Sequence, residues 1–451
     1  MNKVEKRTAR ALALLFSFRM LGLFLILPVF SIYATKLSGA TASLIGFALG
    51  VYGLTQALLQ IPFGMLSDKI GRKPVIAAGL VLFAIGSVIA ASADSIYGVI
   101  IGRAIQGAGA IGSTIIALAA DLTREEQRTK AMAIIGLSIG FSFTIAMAIS
   151  PVLNNWIGVN GIFWLTAGLA LLGLFVTFVL VPKTKAHKFH RDAEVEPTQL
   201  KMILKNPELL RLDFGILVLH AMLTALFLII PLTLQQIAGV PESRQWIIYL
   251  PVLILSFICM LPFIIIAEKK RKIKQIFIGA IATLIIAQLI LFIGKQNELL
   301  TALGLLVFFT AFTLLEATLP SLISKIAPSA SKGTATGVYS SCQFLGIFIG
   351  GTVGGWFYAG HNFSGVFLFL IILGLIWLAI ASTMKKPRHL GTHMLNFGAL
   401  TRVQADNIQK QLLAVDGIIE ATVMCDDGIA YLKVDNAIID KANLSADKFK
   451  R

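Results

Sequence analysis

Apolar stretches follow one another almost end to end in this chain, and few folds can accommodate them. A bilayer-crossing α-helix needs about 20 mostly apolar residues. Such stretches lie near 10–34, 43–66, 74–93, 96–120, 130–153, 160–182, 212–236, 245–267, 275–294, 299–323, 334–358 and 363–384. Short charged or Gly/Pro-marked gaps separate them. Helices of a soluble core carry one polar face, and these stretches carry none. Charged residues make up 14% of the chain, against about a quarter in soluble domains. The expectation is an all-α polytopic membrane protein of twelve transmembrane helices.

The net charge of +16 raises the possibility of nucleic-acid binding, and its distribution argues against it. Of the 39 Lys and Arg, 24 lie in the N-terminus and in the loops after even-numbered spans. Only Lys36, Arg244 and Lys295 lie in the loops after odd-numbered spans. Ten follow from Lys385 onward, and Arg19 and Arg103 sit inside spans. This is the positive-inside pattern, and it places both termini in the cytoplasm. The expected partners are the lipid bilayer, whose anionic headgroups suit the basic loops, and a small-molecule substrate. No nucleic-acid partner is expected. The first apolar stretch is too long for a signal-peptide core and lacks a small-x-small cleavage site, so it reads as the first span. Cys259, Cys342 and Cys425 are too scattered for a metal or disulfide framework. No G-x-x-x-x-G-K-[ST] loop occurs, so ATP is not the driver and no cofactor is expected.

A polar, basic loop over 183–211 divides the membrane region into an N-terminal half, 1–182, and a C-terminal half, 212–385. His187 and His190 in that loop read as solvated residues rather than metal ligands. The halves look like repeats. Pro62-Phe63 precedes Asp68-Lys69, Pro262-Phe263 precedes Glu268-Lys269, and Trp156 matches Trp356, all at one offset of 200. Internal repeats of this kind are typical of secondary transporters. Beyond 390 the pattern changes. Met394–Phe397 suits a strand, and Ile408, Leu412 and Val415 form a helical stripe. Two alternating strands then flank Asp427-Gly428, a hairpin turn signal. With a second helix near 439–449, residues 390–451 resemble a small α+β ferredoxin-like domain, close to heavy-metal-associated domains. The Cys-x-x-Cys of those domains is missing, so metal binding by that route is not expected. Asp426 and Asp427 read as a plain turn.

The sharpest motif joins the second and third spans: Gly64-Met-Leu-Ser-Asp68-Lys-Ile-Gly71-Arg72-Lys73. Gly64 allows close helix approach, Gly71 a tight turn, and Asp68 can face a helix N-terminus of the other half. Arg72 can reach Asp121 at the end of the fourth span. At every key position the loop resembles the signature G-x-L-a-D-r-x-G-R-k of the major facilitator superfamily. That resemblance implies a latch, made of Gly64, Asp68, Gly71, Arg72, Lys73 and Asp121, that holds the halves in an outward-open state. Arg103-Ala-Ile-Gln106-Gly107-Ala-Gly109 resembles the R-x-x-q-G-x-g motif of the drug/proton antiporters in that superfamily. The Gly-Pro and Gly-Gly pairs of their fifth span are replaced by Ser150-Pro151 and Asn154-Asn155. The C-terminal domain narrows the resemblance to bacterial inner-membrane transporters.

Four ionisable groups appear well inside spans: Arg19, Arg103, His220 and Glu316. Such groups are expensive in a membrane and point to function. Arginine does not release its proton, so Glu316 and His220 are the candidate proton carriers. Each also has a structural reading as an interhelical hydrogen bond. Arg19 suits either substrate contact or structure. Gln106, Gln235, Gln236 and Gln343 are the notable amides. Phe16, Phe18, Phe24, Phe47, Phe227, Phe344 and Phe348 are candidate linings of an apolar path. The expected function is proton-coupled efflux of hydrophobic or amphipathic molecules. An uptake symporter of a small metabolite and a tail-regulated sensor are the alternatives.

Overall fold

The computed structural model describes residues 1–182, 197–328, 331–385, 390–398, 400–425, 428–435 and 438–439. His187, His190, Asp426, Asp427 and most of the helix expected near 439–449 lie outside these residues.

The helices are α1 (Lys3–Phe24), α2 (Leu27–Ala34), α3 (Ala42–Ile70), α4 (Arg72–Ala91), α5 (Ile96–Ala108), α6 (Gly112–Asp121) and α7 (Glu125–Phe175). After them come α8 (Pro197–Ile203), α9 (Pro207–Gln236), α10 (Trp246–Lys269), α11 (Ile273–Gly294), α12 (Glu298–Ile326), α13 (Lys332–Ser382) and α14 (Arg402–Leu413). Strands β1 (Leu390–Asn396), β2 (Ile418–Met424) and β3 (Ile429–Asp435) lie beyond the last long helix. Among the described residues, ten helical segments are long and apolar enough to cross a membrane.

Local chemistry sets where the helices start and break. A capping box starts α1: the Glu5 N–H donates to Asn2 Oδ1 at 2.8 Å, and the Asn2 N–H donates to Glu5 Oε2 at 2.7 Å. The span expected over 10–34 divides between α1 and α2, because Pro28 has no N–H to continue the ladder and its ring crowds the preceding turn. The span expected over 96–120 also divides, at Gly109–Ile111, where Gly109 takes φ −72° and ψ 52°. Helices α7 and α13 each have 51 residues. A straight helix of that length would run well over twice the ~30 Å of a bilayer core. Each is instead interrupted, α7 at Gly158 (φ 66°) and α13 at His361–Asn362 (φ 57° at Asn362).

Contacts between loops define two ends of the bundle. At one, the Met1 amine donates to Gln127 Oε1 at 3.1 Å, Arg7 donates to the carbonyls of Val179 and Leu180, and Lys73 Nζ donates to the Val181 carbonyl at 2.7 Å. This end also carries the C-terminal sheet and is called the terminal end. At the far end, Ser38 bridges Ser95, Asn154 Nδ2 donates to Glu242 Oε1 at 2.6 Å, and Lys295 Nζ donates to Ser364 Oγ at 2.8 Å.

Helix α13 packs between α3 and α9, and glycine makes this possible. A Cβ on Gly350 would meet the backbone of Ala221 in α9, and one on Gly46 in α3 would meet the backbone of Gly351. Backbone against backbone at this separation admits no side chain, the small-residue packing of membrane helices. The α3–α13 contact runs from Gly46 against Gly351 and Gly355 to Gly53 against Phe344. It closes the far end. Aromatic rings extend the seal: Phe143 of α7 lies 4.9 Å from Phe24 of α1 and 6.1 Å, stacked, from Phe312 of α12.

The C-terminal strands form an antiparallel sheet of order β1-β3-β2, with α14 connecting its two outer strands. Ala430, Leu432 and Val434 of β3 face Ile408 and Leu412 of α14. Strand alternation turns Lys433 the other way. Its Nζ donates to the carbonyl of Ile326, in the last turn of α12, at 2.9 Å, and lies 3.7 Å from Glu420 Oε2. Burial lowers the Lys433 pKa, against the opposing pull of Glu420. A lysine at these carbonyls satisfies a helix C-terminus and complements its dipole.

Two outcomes follow. Gly350→Val should lower stability in detergent by about 1–3 kcal/mol through overpacking, read as a reduced melting temperature. Gly279→Val, at a position with open space, should leave it unchanged. Lys433→Ala should speed amide exchange in the last turn of α12 roughly fivefold, the effect of losing ~1 kcal/mol; unchanged exchange there would show that the sheet does not hold α12.

Candidate functional site

The loop between α3 and α4 is built around one guanidinium. Gly71 ends α3 with φ 96° and ψ 155°, a conformation that a side chain strains. The turn places Arg72 at the first position of α4, buried against α3 and α6. Arg72 Nε donates to Asp121 Oδ2 at 3.1 Å, and Nη1 donates to Ser67 Oγ at 2.6 Å and to the Asp68 carboxylate. A planar fork can serve several acceptors at once, which lysine's ammonium does less well. At Gly64 a Cβ would come within 3.2 Å of Ser113 Oγ, so α3 and α6 touch there. Asp68 lines a cavity of about 30 Å³, shared with Gln60, Ser113 and, from the opening turns of α13, Gly333, Thr336 and Gly337.

A second cluster lies midway along α9, α12 and α13. The side-chain amide of Gln343 stands 2.9 Å from His220 Nε2, and its nitrogen donates to Glu316 Oε1 at 3.4 Å. His220 Nε2 and Glu316 Oε2 are 3.9 Å apart. The His220 side chain is 5% exposed and that of Glu316 is 38% exposed, while Glu316 Oε2 itself is buried with no hydrogen-bond partner among the described residues. Its ring packs 5.9 Å from Phe312, beside the aromatic seal. The cluster therefore sits directly below the closed far end. No Lys or Arg pairs with Glu316 among the described residues.

The third cluster lies in α1, α3 and α5. Arg19 is buried, and its Nη2 donates to Gln56 Oε1 at 2.5 Å and to the Tyr52 hydroxyl at 3.3 Å. Gln56 Nε2 passes the chain on to Gln60 Oε1 at 2.8 Å. Arg103 covers the Tyr52 ring at 5.0 Å, a cation–π geometry. Its Nη1 donates to Gln106 Oε1 at 3.2 Å, and Gln106 Nε2 donates to Ser87 Oγ at 2.8 Å.

The structure thus brings His220 together with Glu316, and Arg19 near Arg103 through Tyr52, as two separate clusters. Three members were not singled out from sequence. Gln56 and Gln60 stand at i and i+4 within the second span, a spacing that puts two amides on one face. Asp213 passed for a helix-end residue, yet it is buried in α9 with neither carboxylate oxygen hydrogen-bonded among the described residues. It lies seven residues, two turns, from His220. The aromatic candidates are corrected in part: Phe16, Phe227 and Phe344 are buried in packing rather than lining a path. Nothing is described of the Glu268 side chain. Among the described residues no group of His, Cys, Asp and Glu could hold a metal.

The family model described as Major Facilitator Superfamily matches residues 12–351. The chain is 44% identical to the inner membrane transport protein YajR of Escherichia coli (strain K12) over 442 residues, covering 98% of this chain and 97% of the relative. It is 25% identical to the multidrug resistance protein MdtH of Photorhabdus laumondii over 387 residues, 83% of this chain and 94% of that one. Among solved structures it is similar to a bacterial homologue of the human lysosomal transporter Spinster in an inward-facing, occupied conformation. The TM-score is 0.67 at 14% identity, over 85% of this chain and 98% of the other.

The Arg72 network yields a stability test. Arg72→Gln leaves Asp68 and Asp121 facing each other without their shared cation, and should lower unfolding free energy by about 3–5 kcal/mol. Adding Asp121→Asn should recover part of that loss. Chemical denaturation in detergent reads both, and additive effects would mean that the two groups are not coupled.

Proposed function

The chain belongs to the major facilitator superfamily and is a transporter rather than an enzyme, and on that premise we propose that it exports hydrophobic or amphipathic small molecules in exchange for protons. Counting each interrupted 51-residue helix as two crossings gives twelve, six in each of the halves 1–182 and 212–385, joined by the segment 183–211. The terminal end is cytoplasmic, in keeping with the positive-inside pattern, and the membrane is a bacterial inner membrane, as the name of YajR suggests. Export is in keeping with the multidrug-resistance name of MdtH.

The observation that carries the reading is Glu316. It is a carboxylate midway along a spanning helix, its side chain partly accessible, with an amide and a histidine as its near partners and, among the described residues, no lysine or arginine paired to it. Such a group is expensive to keep charged in a membrane, so its protonation alters the energy of closing the halves around it. His220, linked through Gln343, is the second proton-accepting group. Arg103 sets the field of the opposite half. The bundle alternates between access to either end, and the latch of Gly64, Asp68, Gly71, Arg72, Lys73 and Asp121 stabilises one end-state. A proton and a cargo drive the change only through different affinities for the two states. The domain over 390–451, whose strand order is that of a ferredoxin-like sheet, regulates this motion through Lys433 on α12.

The altered fifth span favours the second reading, an uptake symporter. Ser150 there donates to the Leu25 carbonyl at 2.5 Å, at the α1–α2 break, where the antiporter pattern has glycine.

Proteoliposomes with an imposed pH gradient separate these readings. With one cationic and one anionic labelled amphipath offered in turn, antiport requires accumulation against the direction of proton flow. Glu316→Gln should reduce gradient-driven accumulation by at least about tenfold, equivalent to 1.4 kcal/mol. Flow in the same direction as protons makes the protein a symporter, and undiminished gradient-driven flux in the variant removes Glu316 from coupling.

A further inference from the structure

We propose that the break between α5 and α6 is a binding site for an anionic group, a carboxylate, sulfonate or phosphate-type oxyanion, on the transported molecule, with Arg19 as its countercharge. The assignment of this ligand as cargo rests on the transport reading above, and it is independent of direction.

Four observations converge on the break. The first is Arg19, which is 2% exposed and whose Nε and Nη1 have no partner among the described residues. A buried guanidinium with open donors inside a membrane is costly unless an anion meets it. Among the described side chains, the carboxylates of the first half's terminal end are engaged elsewhere: Glu5 with Arg124, and Asp68 and Asp121 with Arg72. Arg103, on the other side of Tyr52, adds a second buried positive charge whose Nε and Nη2 are also without partners among the described residues.

The second observation is the N-terminus of α6. Its cap, Ile111, offers no side-chain hydrogen bond, and the first α6 amide bonded into the helix is that of Ile115, to the Ile111 carbonyl at 3.0 Å. The amides of Gly112, Ser113 and Thr114 precede it at the positive end of the helix dipole. Helix N-termini of this kind bind anions, and in broken membrane helices they point at anionic parts of substrates. The third is the Thr114 hydroxyl in the same turn, buried and unpartnered among the described residues.

The fourth is the polarity of the amide chain. Because Gln56 Oε1 accepts from Arg19, its Nε2 must donate to Gln60 Oε1. This orients Gln60 Nε2, a donor, outward. A Cβ on Gly112 would stand 3.1 Å from that nitrogen and 3.4 Å from Arg19 Nη1. The absence of a side chain at Gly112 thus leaves an amide and a guanidinium side by side at the start of α6. Gln60 and Ser113 also line the terminal-end cavity, so the site lies beside it.

A matched pair of probes tests the site: 1-naphthalenesulfonate and its uncharged counterpart 1-naphthalenesulfonamide. Equilibrium binding of each to the purified full chain in a neutral maltoside detergent, at one pH and with no gradient, isolates the charge. The sulfonate should bind at least roughly tenfold more tightly than the sulfonamide, as expected for charge-assisted hydrogen bonds. Arg19→Gln should abolish that preference. Gly112→Ala and Thr114→Val keep the charge; each should weaken the sulfonate severalfold and leave the sulfonamide unchanged, and they decide the matter if Arg19→Gln does not fold. Equal binding of the two probes, or a sulfonate preference that survives these substitutions, overturns the proposal. Because the assay needs no proton gradient, an intact preference beside uncoupled flux would sink only the proton-coupling reading, and coupled flux without a preference would sink only this one.

Discussion

The approach of α13 to α3 on one side and α9 on the other organises the rest of the molecule. Gly46 against Gly351, and Gly350 against Ala221, bring three backbones into contact with no side chains between them. That contact brings Gln343 of α13 within reach of His220 on α9 and Glu316 on α12. It also sets the opening turns of α13 across the terminal-end cavity from Asp68. In lipid, where apolar burial gives helices little reason to associate, such packing is what can hold them. The same surfaces that close the far end therefore position the polar groups below it, so an opening of that end must disturb those groups.

The second organising fact is the separation of charge. The first half holds Arg19 and Arg103 in its interior, and the second holds Asp213 and Glu316. Tyr52 stands between the two arginines. On the carboxylate side, Tyr339 lies within electrostatic reach of both Asp213 and Glu316. Among the described residues, Arg19 and Arg103 with open donors thus lie in one half, and Asp213 and Glu316 with unbonded oxygens in the other. Charges of this kind weaken the bundle, and their presence in ten otherwise apolar spans is best understood through what they bind.

Much of this was legible in sequence because membrane physics leaves few options. Uninterrupted apolar length implies helices, and Gly71 and Arg72 in one short loop specify a turn whose guanidinium reaches Asp121; that Asp68 shares this guanidinium was not read, because the sequence pointed Asp68 at a helix N-terminus of the other half. The helix and strands past 390 were readable from periodicity within two or three residues, or within four at the start of β1. What escaped notice depends on three-dimensional proximity. The Gly109–Ile111 break lies inside a stretch apolar enough to read as one span, since hydropathy does not register the φ/ψ of a single glycine. Gln56 and Gln60 appear ordinary until Arg19 arrives from another helix. Asp213 is six residues from the start of α9, where length alone suggests an interfacial group, and its burial comes from the helices packed around it.

If Glu316 carries the coupling proton, as proposed above, the sign of the coupling follows from where the cargo's charge sits. A cation drawn to Glu316 competes with the proton for the same oxygens, and mutual exclusion of two ligands at one site is the thermodynamic basis of exchange. An anion seated at Arg19 acts differently. It cancels part of the positive charge that the first half holds in its interior, so the ionised form of Glu316 in the other half loses a favourable field. Linkage makes the effect reciprocal: a proton on Glu316 then favours the anion at Arg19. Two ligands that favour each other travel together. With these residues, then, an anion alone at Arg19 favours co-transport, and the exchange proposed above requires a cargo that also brings a cationic group to compete with the proton at Glu316.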